Sequence, residues 1–278
     1  HLIHAKVGEG KPEITLEGPI PVCEKVFANQ GHCDGRAKAP EQGRGELVPA
    51  TLFGQNVVPD ARIQAYLASV SKELEPIKSR VVAHVTPNAE IVHEKFKEAP
   101  MGNLVVDAVR WISKANFAMV NRGGVRDSWK GLKDDNVTFG DVYRVLPFDN
   151  YIKIADVSGA QLRAILNQAY NSPDKDVWPV SGLQVTLTKT TTPYGVEILD
   201  AREAELKAIL DGAPYTLAIP DFIAEGGDGM GKVFSGIPTT IVNAGFMRDV
   251  LVEYLKTWKE PLNPSDLLDP NAPRVILE

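Results

Sequence analysis

Cysteine is nearly absent from this chain of 278 residues, which has only Cys23 and Cys33. A disulfide-stapled scaffold needs a denser framework, so stability must come from apolar burial, for which the length is ample. Both cysteines fall in one Gly/Pro/Gln-rich stretch. They form either a local disulfide, which implies an oxidising compartment, or two unrelated thiols; their shared irregular segment favours the bond. A zinc site there would need more ligands than His32 supplies. Histidine is sparse as well: His1, His4, His32, His84 and His93 are scattered, and no Ser-His-Asp or Cys-His arrangement has supporting context. No apolar run approaches the ~20 residues of a membrane-spanning helix. The opening His1-Leu2-Ile3-His4-Ala5-Lys6 lacks the apolar heart of a signal peptide, so an exported protein would have lost its leader already. Positive charge is in deficit. A net charge of −6 excludes non-specific attraction to nucleic acid or anionic membranes, while leaving room for an anion site built from a few Arg, Lys or backbone N–H groups.

What is present is soluble globular composition, with 44% hydrophobic and 24% charged residues. Residues 1–59 differ from the rest. Ala5-Lys6-Val7 and Ile14-Thr15-Leu16 read as two short strands around a glycine turn, and from Pro19 to Pro59 no period is sustained, as in a linker. From Asp60, a helix N-cap, Ile63, Tyr66, Leu67, Val70 and Leu74 recur at helical spacing until Pro76. Further helices are predicted from Met101 to about Ala115, after the cap Ser158, and near Gly245–Trp258 with Phe246, Val250, Leu251, Tyr254 and Leu255 inward. Strand-like runs lie at Arg80–Thr86, Phe117–Asn121, Tyr151–Val157, Leu183–Thr188, Val196–Ala201, Tyr215–Ile219 and Arg274–Leu277. Regular βαβ units are few, so residues 60–278 read as an α+β domain with mixed sheets.

Three clusters carry chemistry. Phe222-Ile223-Ala224-Glu225-Gly226-Gly227-Asp228-Gly229-Met230-Gly231-Lys232-Val233 nearly spells a phosphate-binding P-loop. Val233 stands where a hydroxyl must meet magnesium, however, and Pro238 ends any following helix. A plain glycine turn and one half of a ligand clamp remain. Phe222 offers a stacking face, and an ionised Asp228 can accept two hydrogen bonds from vicinal hydroxyls. In the second cluster, Asn121-Arg122-Gly123-Gly124-Val125-Arg126, a strand end is followed by glycines that admit close approach and by an arginine fit for phosphate or carboxylate. Arg126 could equally be held in an ion pair with Asp127 or Asp141. In the third, Leu146-Pro147-Phe148-Asp149-Asn150, a proline bend presents an aromatic that could be core or site.

Together with Pro100-Met101-Gly102-Asn103-Leu104, these clusters in this order resemble the C-terminal domain of the 5′-nucleotidase family. That family takes in periplasmic UDP-sugar hydrolases, ecto-5′-nucleotidases and a thiosulfohydrolase branch. The resemblance implies a four-layer α/β/β/α domain over residues 60–278. It also implies that residues 1–59 hold the tail of a preceding metallophosphoesterase domain plus a linker. By the same resemblance, Phe148 and Phe222 sandwich a base and Asp228 binds the ribose. Asn121, Asn150 and Arg126 complete the substrate site, with Lys95 where the family usually has arginine. Arg122 and Asp149 stand where the family has glycine and would modulate the pocket. The implied ligands are AMP, adenosine or a UDP-sugar, in a periplasmic or extracellular setting.

Hydrolysis in that family uses two divalent metal ions, such as manganese or zinc, bound in the N-terminal domain by D-x-H, G-N-H-[DE] and G-H-x-H motifs. None of these motifs is complete here, and Gly31-His32-Cys33-Asp34 only mimics the last. The expectation is therefore a substrate-binding domain with no catalytic residue and no metal site of its own, partnered by its own N-terminal catalytic domain. The competing expectations are a binding or scaffold module that kept only the fold, and the C-terminal half of a thiosulfohydrolase relative.

Overall fold

The computed structural model describes residues 2–6, 13–17, 25–27, 46–52, 54–171, 177–189, 196–203 and 207–278. Cys23, His32 and Cys33, and with them the expected disulfide, lie outside these residues. The chain divides into two compact units, His1–Leu74 and Glu75–Glu278.

In the first unit, β1 (Leu2–Lys6) and β2 (Glu13–Glu17) form the antiparallel pair expected from the sequence. The stretch read as aperiodic holds two more antiparallel pairs, β3 (Lys25–Phe27) with β4 (Leu47–Pro49) and β5 (Thr51–Leu52) with β6 (Gln55–Asn56). Strands of two or three residues are too short to leave a readable period. Helix α1 (Ala61–Lys78), whose last residues from Glu75 on are counted in the second unit, starts at Asp60, whose Oδ1 accepts the Arg62 N–H at 2.8 Å. It runs through Pro76 rather than stopping before it; a proline in a last turn forfeits little more than one i→i−4 bond. No α1 residue is buried, and Ile63, Tyr66, Leu67 and Leu74 are exposed.

The second unit contains, in order, β7 (Val81–His84), α2 (Pro100–Ser113), β8 (Phe117–Met119), β9 (Asn136–Thr138), α3 (Phe139–Val145), β10 (Ile152–Ser158), α4 (Gly159–Tyr170), β11 (Val180–Ser181), β12 (Leu183–Lys189), β13 (Val196–Glu203), β14 (Pro214–Pro220), α5 (Asp221–Ala224), α6 (Gly231–Phe234), β15 (Thr239–Ile241), α7 (Met247–Leu255), α8 (Pro264–Leu267) and β16 (Val275–Leu277). The main sheet has the order β11-β8-β14-β10-β15, and a three-stranded sheet has the order β13-β12-β16. Both are mixed. β14 runs parallel to β8 and antiparallel to β10, and β12 runs antiparallel to β13 and parallel to β16. The class is α+β, as expected.

Alternation along the strands divides the interior in two. Ala118 and Val120 of the β8 segment, Ile152 and Ala218 face a core completed by Met101, Leu104, Val105 and Val109 of α2 and by Val250, Leu251 and Leu255 of α7. Phe117, Met119, Val157, Leu217 and Ile219 face a second core with Leu162, Ile165 and Leu166 of α4 and Leu183, Val185 and Leu187 of β12. Phe246 and Tyr254, expected inward, are only half-buried. Phe246 packs on Tyr151 and Tyr254 on Trp111 at the rim, with ring centroids 4.8 and 5.6 Å apart. Helix starts follow sequence chemistry. Pro100 fits the first position of α2, where no N–H is missed, and Ser158 and Gln161 form a reciprocal capping box at α4.

A partly buried ionic knot ties the start of β16 to α2. Arg274, just before β16, donates two hydrogen bonds to Asp107 of α2, at 2.7 and 2.8 Å. Ser181 donates to the same carboxylate at 2.6 Å. Glu98 accepts the Arg274 and Val275 backbone N–H groups at 2.7 and 3.2 Å and the Asn103 amide at 2.6 Å. Burial opposes the Arg274 charge, but its hydrogen bonds to Asp107, with Glu98 adding, raise its pKa above the ordinary arginine value.

Candidate functional site

Strand direction brings three loops to one end of the main sheet. The parallel strands β8 and β14 both finish there, leading into Asn121–Arg126 and into Asp221–Gly231. The antiparallel neighbour β10 begins there, with Ile152 opposite Pro220, so the Phe148 bend precedes it at the same end. Two aromatic-bearing segments about seventy residues apart thus emerge side by side. Phe148 and Phe222 are each 46% exposed, which decides against their being core residues.

Side-chain hydrogen bonds tie the loops together. Asn121, itself buried, donates from Nδ2 to Asp228 Oδ2 at 2.7 Å. Asn150 donates from Nδ2 to Asp221 Oδ1 at 2.8 Å, and the same oxygen accepts the Phe222 N–H at 2.8 Å. One Asp228 oxygen is therefore committed before any ligand arrives, leaving Oδ1 as its available acceptor. Asp228 sits at φ 50° in a short 3₁₀ turn, left-handed backbone that Asp tolerates better than most residues. Gly227 next to it is needed for a different reason: a Cβ there would lie 2.4 Å from the Phe222 ring. In the first loop, a Cβ on Gly124 would come within 2.8 Å of Asn121 Oδ1. Helix α6 follows the glycine stretch but has only four residues.

Arg126 is exposed. Its Nη1 donates to Gly123 O at 3.2 Å, and its guanidinium lies 5.8 Å from the Phe148 ring centroid, within cation–π range. The ion pairs that could have held it belong to Arg144 instead, which meets Asp141 at 2.8 Å and Asp127 at 3.9 Å. His93 reports the local field. Burial first, then the positive charges of Arg122, Lys95 and Arg126, push its pKa below the ordinary histidine value, with Glu94 opposing. Arg122 and Arg126 of one loop and Lys95 of another segment thus all act on His93, and Lys95 has no ion-pair partner among the described residues. Asp149 is bound by Arg248 at 2.5 Å.

Of the residues expected at the site, Asn121 pairs with Asp228, Asn150 reaches Asp221 beside Phe222, and Arg126 lies over Phe148, with Arg122 and Asp149 next to them in these loops; Lys95 is connected to them only through the charge it exerts on His93. Sequence reasoning missed Asp221, His93 and Arg248. Asp221 had a signal, as a carboxylate at a strand end directly before an aromatic; Arg248 had none. A recess lined by Asn121, Gly124, Leu146, Phe148, Asn150, Pro220 and Met247 holds only about 10 Å³. Wider grooves, of about 430 Å³ beside Asn116 and Thr216 and about 500 Å³ beside Asp107, Trp111 and Tyr254, lie away from these loops. Among the described residues, no three His, Cys, Asp or Glu side chains are grouped to hold a metal ion, and no helix is long and apolar enough to cross a membrane.

The loops at this sheet end carry two exposed rings and an exposed arginine over one of them. A family profile described as "5′-nucleotidase, C-terminal domain" matches residues 81–236, and the chain belongs to that family. It is 29% identical over 206 residues to Endonuclease YhcR of Bacillus subtilis (strain 168), covering 74% of this chain and 16% of that protein. It is 28% identical over 173 residues to a 5′-nucleotidase of Vibrio cholerae, covering 62% of this chain and 29% of that one. In fold it is similar to a crystal structure of a 5′-nucleotidase precursor from Thermus thermophilus, with a TM-score of 0.65, 22% identity, and coverage of 81% of this chain and 47% of that one. The chain thus spans less than half the length of each of these proteins.

Proposed function

We propose that this chain is the nucleotide-holding part of a 5′-nucleotidase-like phosphoester hydrolase, exported to the periplasm or the cell exterior. The base lies between Phe148 and Phe222, Asp228 accepts from the ribose hydroxyls, and Asn121 and Asn150 flank the polar edge. Arg126 and Lys95 receive the phosphate, with Arg122 beside them. The observation that carries this reading is the pairing of Ile152 with Pro220, which sets the two exposed rings at one sheet end. The recess beside Phe148 is smaller than a heterocycle, so the base rests against the exposed ring faces rather than inside it. The described residues do not fit a dimetal centre, so no hydrolytic step is assigned to them. The metal pair would supply an activated water from a catalytic domain N-terminal to this one.

Titration with adenosine, AMP and a UDP-sugar, followed by amide shifts, should give saturable binding, with Kd between about 1 μM and 1 mM for AMP. A flat response at millimolar ligand, or one indifferent to Phe222→Ala, would falsify the reading. Gly227→Ala is expected to weaken binding about tenfold through the displaced Phe222 ring while moving the thermal midpoint little, since the flexible ring can swing into solvent. An unchanged affinity would show that the ring position does not matter.

A further inference from the structure

We infer that Arg248 is a positioning residue that fixes the Phe148 wall of the site and cancels the charge of Asp149; this rests on the nucleotide-holding reading above. Arg248 lies in the first turn of α7 with its side chain only 12% exposed. Its guanidinium lies over two rings, 4.6 Å from the Phe246 centroid and 5.2 Å from that of Tyr143. From there Nη1 donates both to the Phe148 carbonyl at 3.1 Å and to Asp149 Oδ1 at 2.5 Å. The next residue along α7 toward its start, Met247, donates its backbone N–H to Asn150 O at 2.9 Å. The Phe148-Asp149-Asn150 bend belongs to no helix or strand, so α7 supplies the rigidity that the bend lacks.

The geometry separates two effects. Phe148 is held by its own carbonyl, so a guanidinium stacked on Phe246 and Tyr143 sets the direction in which the aromatic side chain leaves the backbone. Asp149 is a mostly exposed carboxylate one residue from a ring that Arg126 also faces. Left unpaired, it would oppose the phosphate that Arg126 and Lys95 are proposed to receive. Arg248 therefore acts on the base through position and on the phosphate through charge. A lysine could supply the charge but not the planar fork or the stacking.

The test compares the wild type with Arg248→Gln, Arg248→Lys, Asp149→Asn and the double variant Arg248→Gln/Asp149→Asn. Their ring-labelled phenylalanine resonances are recorded first without ligand, with Phe148 assigned through Phe148→Leu. Arg248→Gln and Arg248→Lys should both shift or broaden the Phe148 ring signal and leave Phe222 in place. Arg248→Gln should then lower adenosine affinity about fivefold and AMP affinity about twentyfold at low salt, the gap closing as salt rises. Restoring AMP affinity relative to adenosine in the double variant would mark the gap as the charge of Asp149. An undisturbed Phe148 signal in folded Arg248→Gln overturns the inference. So does an equal loss for adenosine and AMP that the Asp149→Asn background does not alter. If the wild type binds neither ligand, the nucleotide reading fails, while the ring signals still decide whether Arg248 positions Phe148.

Discussion

An Arg274→Met variant is expected to lose about 3 kcal/mol of folding stability, the cost of leaving one partner of a largely buried ion pair uncompensated. Among the described residues, Asp107 would keep only the Ser181 hydroxyl after losing both guanidinium bonds, in a position just 20% exposed. Methionine keeps the apolar stem of Arg274 but not its guanidinium, so a small void adds to the cost of the stranded carboxylate. Urea denaturation would show a lower midpoint at unchanged slope. Pairing the change with Asp107→Leu should recover much of the loss, because two apolar groups of similar volume no longer strand a charge. A single variant as stable as the wild type would mean that the knot is neutral and that β16 is held by backbone pairing alone.

Phe222→Ala and Phe148→Ala should each weaken nucleoside binding by about 1–3 kcal/mol, or roughly 5- to 150-fold, the range found when a ring stacked on a base is removed. Both rings are half exposed, so their loss should barely alter the thermal midpoint. This separation of affinity from stability is what distinguishes a clamp from a core. Adenosine and AMP should lose affinity by similar factors, since in the proposed arrangement the rings touch the base and not the phosphate. Replacing Arg126 should do the reverse and penalise AMP alone. If Phe222→Ala unfolded the protein without changing the affinity of its folded fraction, the aromatic would be structural.

Much of this architecture can be read from local pattern. The stripe Leu104, Val105, Ala108 and Val109 marks α2, and Ser158 with Gln161 marks the start of α4, because capping and periodicity act within a few residues. The seven predicted strand runs all appear as strands. What escapes is short or non-local. β9, β11 and β15 have three residues or fewer, below the length at which alternation is visible. The α1 proline misleads because its effect depends on distance from the helix end. At the site, Phe148 on its own could as well have been core, and exposure resolves what composition could not. Arg248 could not have been found, since its partner Asp149 is 99 positions away.

That distance has a kinetic side. The ties that assemble the site join residues 71, 99 and 107 positions apart, so each closes a long loop whose entropy is spent before the contact repays it. On a ribosome, the two rings would emerge well before the arginine that steadies one of them. The three loops should consequently come together in a single late step, after both interior clusters have condensed, and partly synthesised chains would lack the proposed site altogether.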